Sequence, residues 1–370
     1  MNKKVWLSPP HMGGGEQKYI QEAFDTNWIA PVGINITEFE RGIEKYLKGK
    51  KKVVALSSGT AAIHLALVLL KVQQGDEVLC QSFTFSATAN SITYVGATPV
   101  FIDSESETWN MCPVLLEKAI NERMEAGKKP KAIIAVHLYG MPYNVEKIKA
   151  IGKKYEIPII EDAASALGSM VNKQQCGTFG DYGILSFNGN KIITTSGGGA
   201  LICKDDKTKD KAIFLATQAR DEAPHYQHSH IGYNYRMSNV LAGIGRGQLE
   251  VLEERVKARR RIFNFYKKTL KHTRFQFLEE PVGYTSNRWL TCVLTDSYSI
   301  REKIRVSLSH QNIECRPLWK PMHLQPVFKN CLSYKNGISE ELFEKGLCLP
   351  SGSNITEEEL NRIVGVLKDF

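Results

Sequence analysis

Long hydrophobic runs are missing from this 370-residue chain. No apolar stretch reaches the roughly 18 residues that a membrane-crossing helix requires, so no membrane insertion is expected. The opening Met-Asn-Lys-Lys-Val-Trp-Leu-Ser-Pro-Pro has two lysines and no apolar segment behind them, which argues against a secretory leader and for the cytoplasm. The cysteines are scattered, at Cys80, Cys112, Cys176, Cys203, Cys292, Cys315, Cys331 and Cys348. None forms a C-x-x-C or a close His/Cys cluster, so no metal site is expected and the thiols read as reduced. The pattern G-x-x-x-x-G-K-[ST] is absent, which excludes a P-loop nucleotide site. Neither an internal repeat nor a low-complexity linker interrupts the chain.

Hydrophobic content of 42% and charged content of 24% place the chain among soluble globular proteins. Its length suffices for two packed lobes, each with a core. Part of the net charge of +9 lies in Lys48-Gly49-Lys50-Lys51-Lys52 and Lys257-Ala258-Arg259-Arg260-Arg261. No nucleic-acid recognition motif accompanies these runs, so they read as solvated faces and no nucleic-acid partner is expected. A basic protein also suits a diphosphate-bearing substrate.

Short apolar runs then alternate with helical spacings. Strands are expected over 53–56, 77–81, 98–102, 131–136, 157–162 and 200–203, with helices over 16–26, 61–72, 113–126 and 145–155. Thr37 and Glu40 have capping-box spacing for a further helix. The alternation predicts an α/β fold whose large, mostly parallel sheet is covered by helices. Residues 1–237 are expected to form an N-terminal arm and this large domain, and 238–269 one long bridging helix. Residues 270–370 read as a smaller C-terminal α/β domain, with strands over 289–294 and 313–315 around a helix over 300–311.

The stretch from Ser186 to Gly199 holds a single charged residue, Lys191, among hydroxyls, asparagines and glycines. Desolvation there favours the neutral amine, a nucleophile toward aldehydes. Upstream, Ile157-Pro158-Ile159-Ile160-Glu161-Asp162 reads as a buried strand that delivers Asp162 at its carboxyl edge, where open α/β sheets bind ligands. A lysine and an acid so placed are the two groups that pyridoxal phosphate (PLP) needs, one to hold its aldehyde and one to keep its ring nitrogen protonated. Ser57-Ser58-Gly59-Thr60-Ala61-Ala62 adds a strand-to-helix turn whose free backbone N–H groups suit a phosphate.

In this order the motifs resemble those of the fold type I PLP enzymes, and more narrowly the DegT/DnrJ/EryC1/StrS family of nucleotide-sugar aminotransferases. The resemblance runs from Ser8-Pro9-Pro10-His11 to Leu349-Pro350-Ser351-Gly352. It implies an aspartate aminotransferase-like fold, with the cofactor carried on Lys191 and Asp162 at its ring nitrogen. It places the cofactor phosphate on Gly59, Thr60, Ala61 and Ser186, and Phe85 against the ring. Many relatives carry Gln or Glu three residues after the aspartate, facing the cofactor's phenolic side; Ser165 stands there in this chain. Asn234 is implied to reach the phosphate of the opposite subunit, hence a homodimer with shared sites, and Arg236 to lie near the phosphates. His11, Asn27, Trp319 and His323 are implied at the nucleotide-sugar pocket, with lobe-interface packing the alternative for Trp319 and His323. His137 reads as a general base or as a hydrogen-bonded structural residue. His225, His228 and His230 read as an exposed loop, since no acid or cysteine completes a metal site.

The resemblance implies transfer of an amino group from an amino acid, glutamate, to a nucleotide-linked keto sugar. Ser-Pro-Pro-His-Met-Gly-Gly and Trp-Ile-Ala-Pro-Val-Gly are most similar to the branch making UDP-linked 4-amino-4,6-dideoxy-N-acetylhexosamines, as in bacillosamine synthesis for cell-surface glycans and glycoproteins. A dTDP-linked 3- or 4-keto-6-deoxy sugar is the alternative. A sugar dehydratase of this family would carry histidine in place of Lys191. A PLP-binding regulator without turnover would not need both Lys191 and Asp162.

Overall fold

Along Lys52–Leu56, Val53 and Ala55 pack into one apolar cluster with Phe39, Leu79 and Ile133, while Val54 and Leu56 pack into another with Ile63, Ile134 and Ile160. Successive side chains of a strand point to opposite faces, so a run that is apolar at every position belongs to a strand covered on both sides. In the computed structural model, which describes residues 3–49 and 51–370, such runs form one eight-stranded sheet between two helical layers. The expected α/β architecture is present. Across the sheet the strands lie in the order Lys52–Leu56, Gly199–Cys203, Tyr182–Ser186, Ile159–Asp162, Ala132–Val136, Glu77–Gln81, Thr98–Ile102 and Ser333–Tyr334. Only Gly199–Cys203 runs antiparallel to its neighbours. Met1, Asn2 and Lys50, part of the N-terminal stretch and of the first basic run, lie outside the described residues.

A four-stranded antiparallel sheet follows, in the order Gln276–Phe277, Thr291–Leu294, Gly346–Leu349 and Arg316–Pro317. The helices Tyr298–His310 and Glu357–Leu367 close its core through Ile304, Leu308, Leu360 and Ile363. The strand expected over 313–315 is instead Arg316–Pro317; Ile313 only bridges to Val5. The cut expected at residue 270 is crossed repeatedly. Ser333–Tyr334 joins the large sheet beside Thr98–Ile102, Tyr284–Thr285 pairs with Met170–Val171, and Val5 of the arm pairs into the small lobe.

Two local expectations give way to longer-range bonds. Thr37 caps nothing, because the helix Ile34–Tyr46 begins at Gly33. Gly33 has φ 148°, and a Cβ there would come within 2.4 Å of the Asn239 side chain. Asn239 Oδ1 accepts from the Ile36 amide, while Glu40, the expected box partner, takes the Ala55 amide and pairs with Arg236 and Lys209. The single long helix expected over 238–269 is two, Asn239–Glu250 and Leu252–Thr269, separated at Val251.

Candidate active site

Five parallel strands end on the same edge of the large sheet, and the residues at or just beyond their ends line one cavity of about 680 Å³. Ser57 and Ser58 follow Leu56, Thr84 and Phe85 follow Gln81, and Val136, Asp162 and Ser186 end their own strands. Lys191 enters from the loop that joins Tyr182–Ser186 to Gly199–Cys203. That loop closes on itself through Phe187 N–H to the Gly198 carbonyl and Thr195 N–H to the Phe187 carbonyl, both 2.9 Å. Gly199 has to be glycine, since a Cβ there would fall 2.3 Å from the Gly59 nitrogen. The Lys191 loop and the phosphate-type turn are thus in backbone contact.

Lys191 Nζ donates to Ser165 Oγ at 3.0 Å and sits 4.2 Å from the centroid of the Trp289 ring. Burial lowers its pKa from the usual lysine value to about 8, the Asp162 charge opposing the shift. About a tenth of it is therefore free amine at pH 7, far more than for an ordinary lysine. Asp162 is held on both oxygens: Thr88 Oγ1 donates to Oδ2 at 2.8 Å and the Ala164 amide to Oδ1 at 3.1 Å. The helix Gly59–Leu69 aims its N-terminus into the cavity, with Ser58 as its cap. The Ala61 amide is already taken by Ser58 Oγ at 3.0 Å, so the N–H groups left for an anion are those of Gly59 and Thr60.

Gly59, Thr60, Phe85, Asp162, Ser165, Ser186, Lys191 and Trp319 line the cavity. Phe85 is largely exposed toward it, with its ring 5.7 Å from that of Trp319. The other expected contacts fall elsewhere. Arg236 pairs with Glu40 and donates to the Ala55 carbonyl, so its charge is spent inside the large lobe. His323 lies between Ser82 Oγ, 2.6 Å, and Glu340 Oε1, 3.0 Å, its side chain almost fully buried. His11 bonds through Nδ1 to Ser353 Oγ at 3.0 Å, and burial together with Arg255 and Arg259 lowers its pKa. Asn27, exposed at φ 58°, ends the helix Glu16–Asp25 in the left-handed conformation that asparagine tolerates. Asn234 is exposed and outside this chain's cavity.

His137 is structural. It is fully buried, receives the Tyr143 amide on Nδ1 and faces Glu161 through Nε2 at 2.7 Å. Cys176 brings a third ligand-type atom within 4.8 Å, but Glu161 already accepts the amides of Gly177, Phe179 and Gly180, and burial holds the thiol protonated. His225, His228 and His230 are on an exposed loop. Three residues escaped the sequence reading. Trp289 underlies Lys191, Thr88 orients Asp162, and Ser58 caps the phosphate-type helix. Ser58 carried a legible signal, a hydroxyl one residue before the helix. Trp289 and Thr88 become visible only once distant segments meet.

The pocket fits PLP by its donor set: a desolvated amine, an oriented carboxylate and an open helix N-terminus, with the Phe85 ring lining the same cavity. Comparison with known proteins agrees. Residues 10–368 match the profile of the DegT/DnrJ/EryC1/StrS aminotransferase family. The chain is 54% identical, over 99% of its length and 96% of the relative's, to EpsN of Bacillus subtilis (strain 168), which bears the provisional name of a pyridoxal phosphate-dependent aminotransferase. It is 36% identical, over 100% of its length and 99% of the relative's, to a GDP-perosamine synthase of Escherichia coli O157:H7. Among solved structures, Spr1654 of Streptococcus pneumoniae in its PLP form, provisionally titled a sugar aminotransferase, superposes with a TM-score of 0.91 at 27% identity, covering 99% of this chain and 98% of that one. The chain belongs to the DegT/DnrJ/EryC1/StrS aminotransferase family, and it is a PLP-dependent sugar aminotransferase.

Proposed function

We propose that this family member moves an amino group from glutamate to a UDP-linked 4-keto-6-deoxy-N-acetylhexosamine. The observation that carries the chemistry is the Lys191 amine, desolvated and held by Ser165 in the same cavity as Asp162. PLP, when bound, supplies an aldehyde for the amines and a ring that accepts an electron pair. Asp162, fixed by Thr88 and Ala164, holds a proton on the ring nitrogen, since an opposite charge nearby favours the protonated form. The Gly59 and Thr60 amides and the Ser186 hydroxyl bind the phosphate. Phe85 and Trp319 wall the cavity and exclude water. Lys191 Nζ takes the proton from the donor's α-carbon and, in the second half of the cycle, delivers one to the sugar carbon that receives nitrogen. Ser165 keeps Nζ on that path.

Asn234, exposed on the surface, contributes to the phosphate site of a second copy in a two-fold dimer. The enzyme works in the cytoplasm on glycan precursors. A GDP-linked sugar is the second reading, favoured by the 36% identity to the E. coli GDP-perosamine synthase. The test is incubation with glutamate and a panel of UDP-, dTDP- and GDP-linked keto sugars, read by product mass. Amination of the UDP-N-acetyl substrate alone supports the first reading, and of a GDP sugar alone the second.

A further inference from the structure

Besides Asp162 and Lys191, the charged side chains lining the cavity are Glu314 and Arg316. Arg316 donates Nε, at 2.9 Å, and Nη2, at 2.8 Å, to the same Glu314 oxygen, Oε1. Glu314 Oε2 accepts the Leu7 amide at 3.0 Å, and the Glu314 amide donates to the Val5 carbonyl at 2.8 Å. The carboxylate is thereby tied to the N-terminal arm. The two partners differ in freedom: the Arg316 side chain is 70% exposed and that of Glu314 19%. On its outer side Arg316 also borders an open cleft that carries Lys4 and the Arg305–Glu302 pair.

Each substrate of the reaction proposed above brings an anionic group held away from its reacting carbon. The amino donor has a carboxylate and the sugar nucleotide a diphosphate. Lys191 is committed to the reacting carbon. Asp162 and Glu314 repel anions. That leaves Arg316 as the cation among the described cavity residues. A guanidinium presents a planar fork matched to carboxylate and phosphate oxygens, and its N–H groups other than those on Glu314 have no partner among the described residues.

We propose that Arg316 is the anion-docking residue of this cavity and that Glu314 is its tethered competitor, from which the incoming anion takes over the guanidinium. In the empty site Glu314 keeps Arg316 ordered at the rim. In the filled site Glu314 stays anchored on the Leu7 amide while Arg316 turns to the substrate. The pair therefore penalises ligands without a well-placed anion, because only an anion can replace what Arg316 gives up. The assignment rests on the aminotransferase reading with anionic substrates.

The test uses the holoenzyme and two unreactive probes, glutarate for the carboxylate and UDP for the diphosphate. Dissociation constants are measured by calorimetry, and each half-reaction is followed in single turnover. Arg316→Gln is expected to weaken at least one probe by about tenfold or more while the saturated single-turnover rate is kept. Arg316→Lys should recover part of the loss. Glu314→Gln should tighten the same probe, since the competing carboxylate is gone. An effect confined to glutarate assigns Arg316 to the donor, and one confined to UDP assigns it to the sugar nucleotide; either upholds the proposal. Unchanged constants for both probes in Arg316→Gln overturn it. So does weaker binding in Glu314→Gln, which would reduce the pair to a clasp on the arm. Arg316-dependent glutarate binding by an enzyme that aminates no nucleotide sugar would overturn the substrate reading and leave this assignment standing.

Discussion

Lys191 and Ser165 are joined by a 3.0 Å hydrogen bond, and Lys191 has no ion pair among the described residues although Asp162 lines the same cavity. The nucleophile is thus held by a neutral hydroxyl and an indole face, which leaves its protonation free to respond to burial.

Burial lowers the folded-state pKa of Lys191 to about 8, below the ordinary lysine value. The unfolded chain then binds more protons than the folded one between these values, so the cost of burying the ammonium is full below about pH 8 and fades as pH rises toward 10.5. Lys191→Met should raise the melting temperature of the cofactor-free protein by a few degrees at pH 7. The gain should shrink at pH 10. A pH-independent difference would mean that the ammonium is not penalised.

Borohydride treatment of the PLP-loaded enzyme should fix the cofactor's mass on the peptide containing Lys191. The label on any other lysine, read by peptide mass mapping, would remove Lys191 from the centre of the chemistry.

Asp162→Asn should retain cofactor but lower the single-turnover rate by orders of magnitude, with little change in KM. Thr88→Val deletes the 2.8 Å bond that orients the acid, along with a 2.9 Å bond to Thr84 Oγ1, and should cost about tenfold in the same rate. Equal rates for Thr88→Val and wild type would show that the Ala164 amide alone orients Asp162.

Arg236 and Glu40 form a buried pair inside the large lobe. Arg236→Met leaves Glu40 with Lys209 and the Ala55 amide, and should destabilise the fold by about 2 kcal/mol in urea unfolding while leaving the substrate KM near wild type. A large rise in KM without loss of stability would return Arg236 to the substrate.

If Asn234 serves a partner's phosphate site, Lys191→Ala and Asn234→Ala should each be impaired alone. Mixed under subunit exchange, they should regain activity, because one site of the mixed dimer has both groups intact. No gain after verified exchange would rule out the shared site.

Most strands of the large sheet were legible because their apolar runs carry the signature of a strand buried on both faces, whereas Ser333–Tyr334, two residues long, leaves no such run. Asp162 was legible because an acid at the end of such a run stands out, and Lys191 because it is the single charge in a stretch of hydroxyls, asparagines and glycines. The capping box at Thr37 misled because its acid has a better use. Glu40 meets Arg236, far along the chain, and no local pattern announces that meeting. His323 and Arg236 sit in motif segments that run past the cavity, and whether a side chain turns inward depends on a partner such as Ser82 or Glu40. Trp289 and Thr88 gain their roles only through tertiary contact with Lys191 and Asp162.

The strand Ser333–Tyr334 completes the edge of the large sheet from a point close to the C-terminus, pairing with Thr98–Ile102. During synthesis the large lobe's other strands are all made long before this one emerges. Until then Thr98–Ile102, whose apolar Val100, Phe101 and Ile102 are buried in the finished protein, offers an unpaired backbone edge. Such an edge is a template for pairing with another chain. Ribosome-released fragments ending before residue 333 should therefore be sticky despite an intact Lys191 and Asp162, and yield of soluble protein should depend on finishing the last tenth or so of the chain.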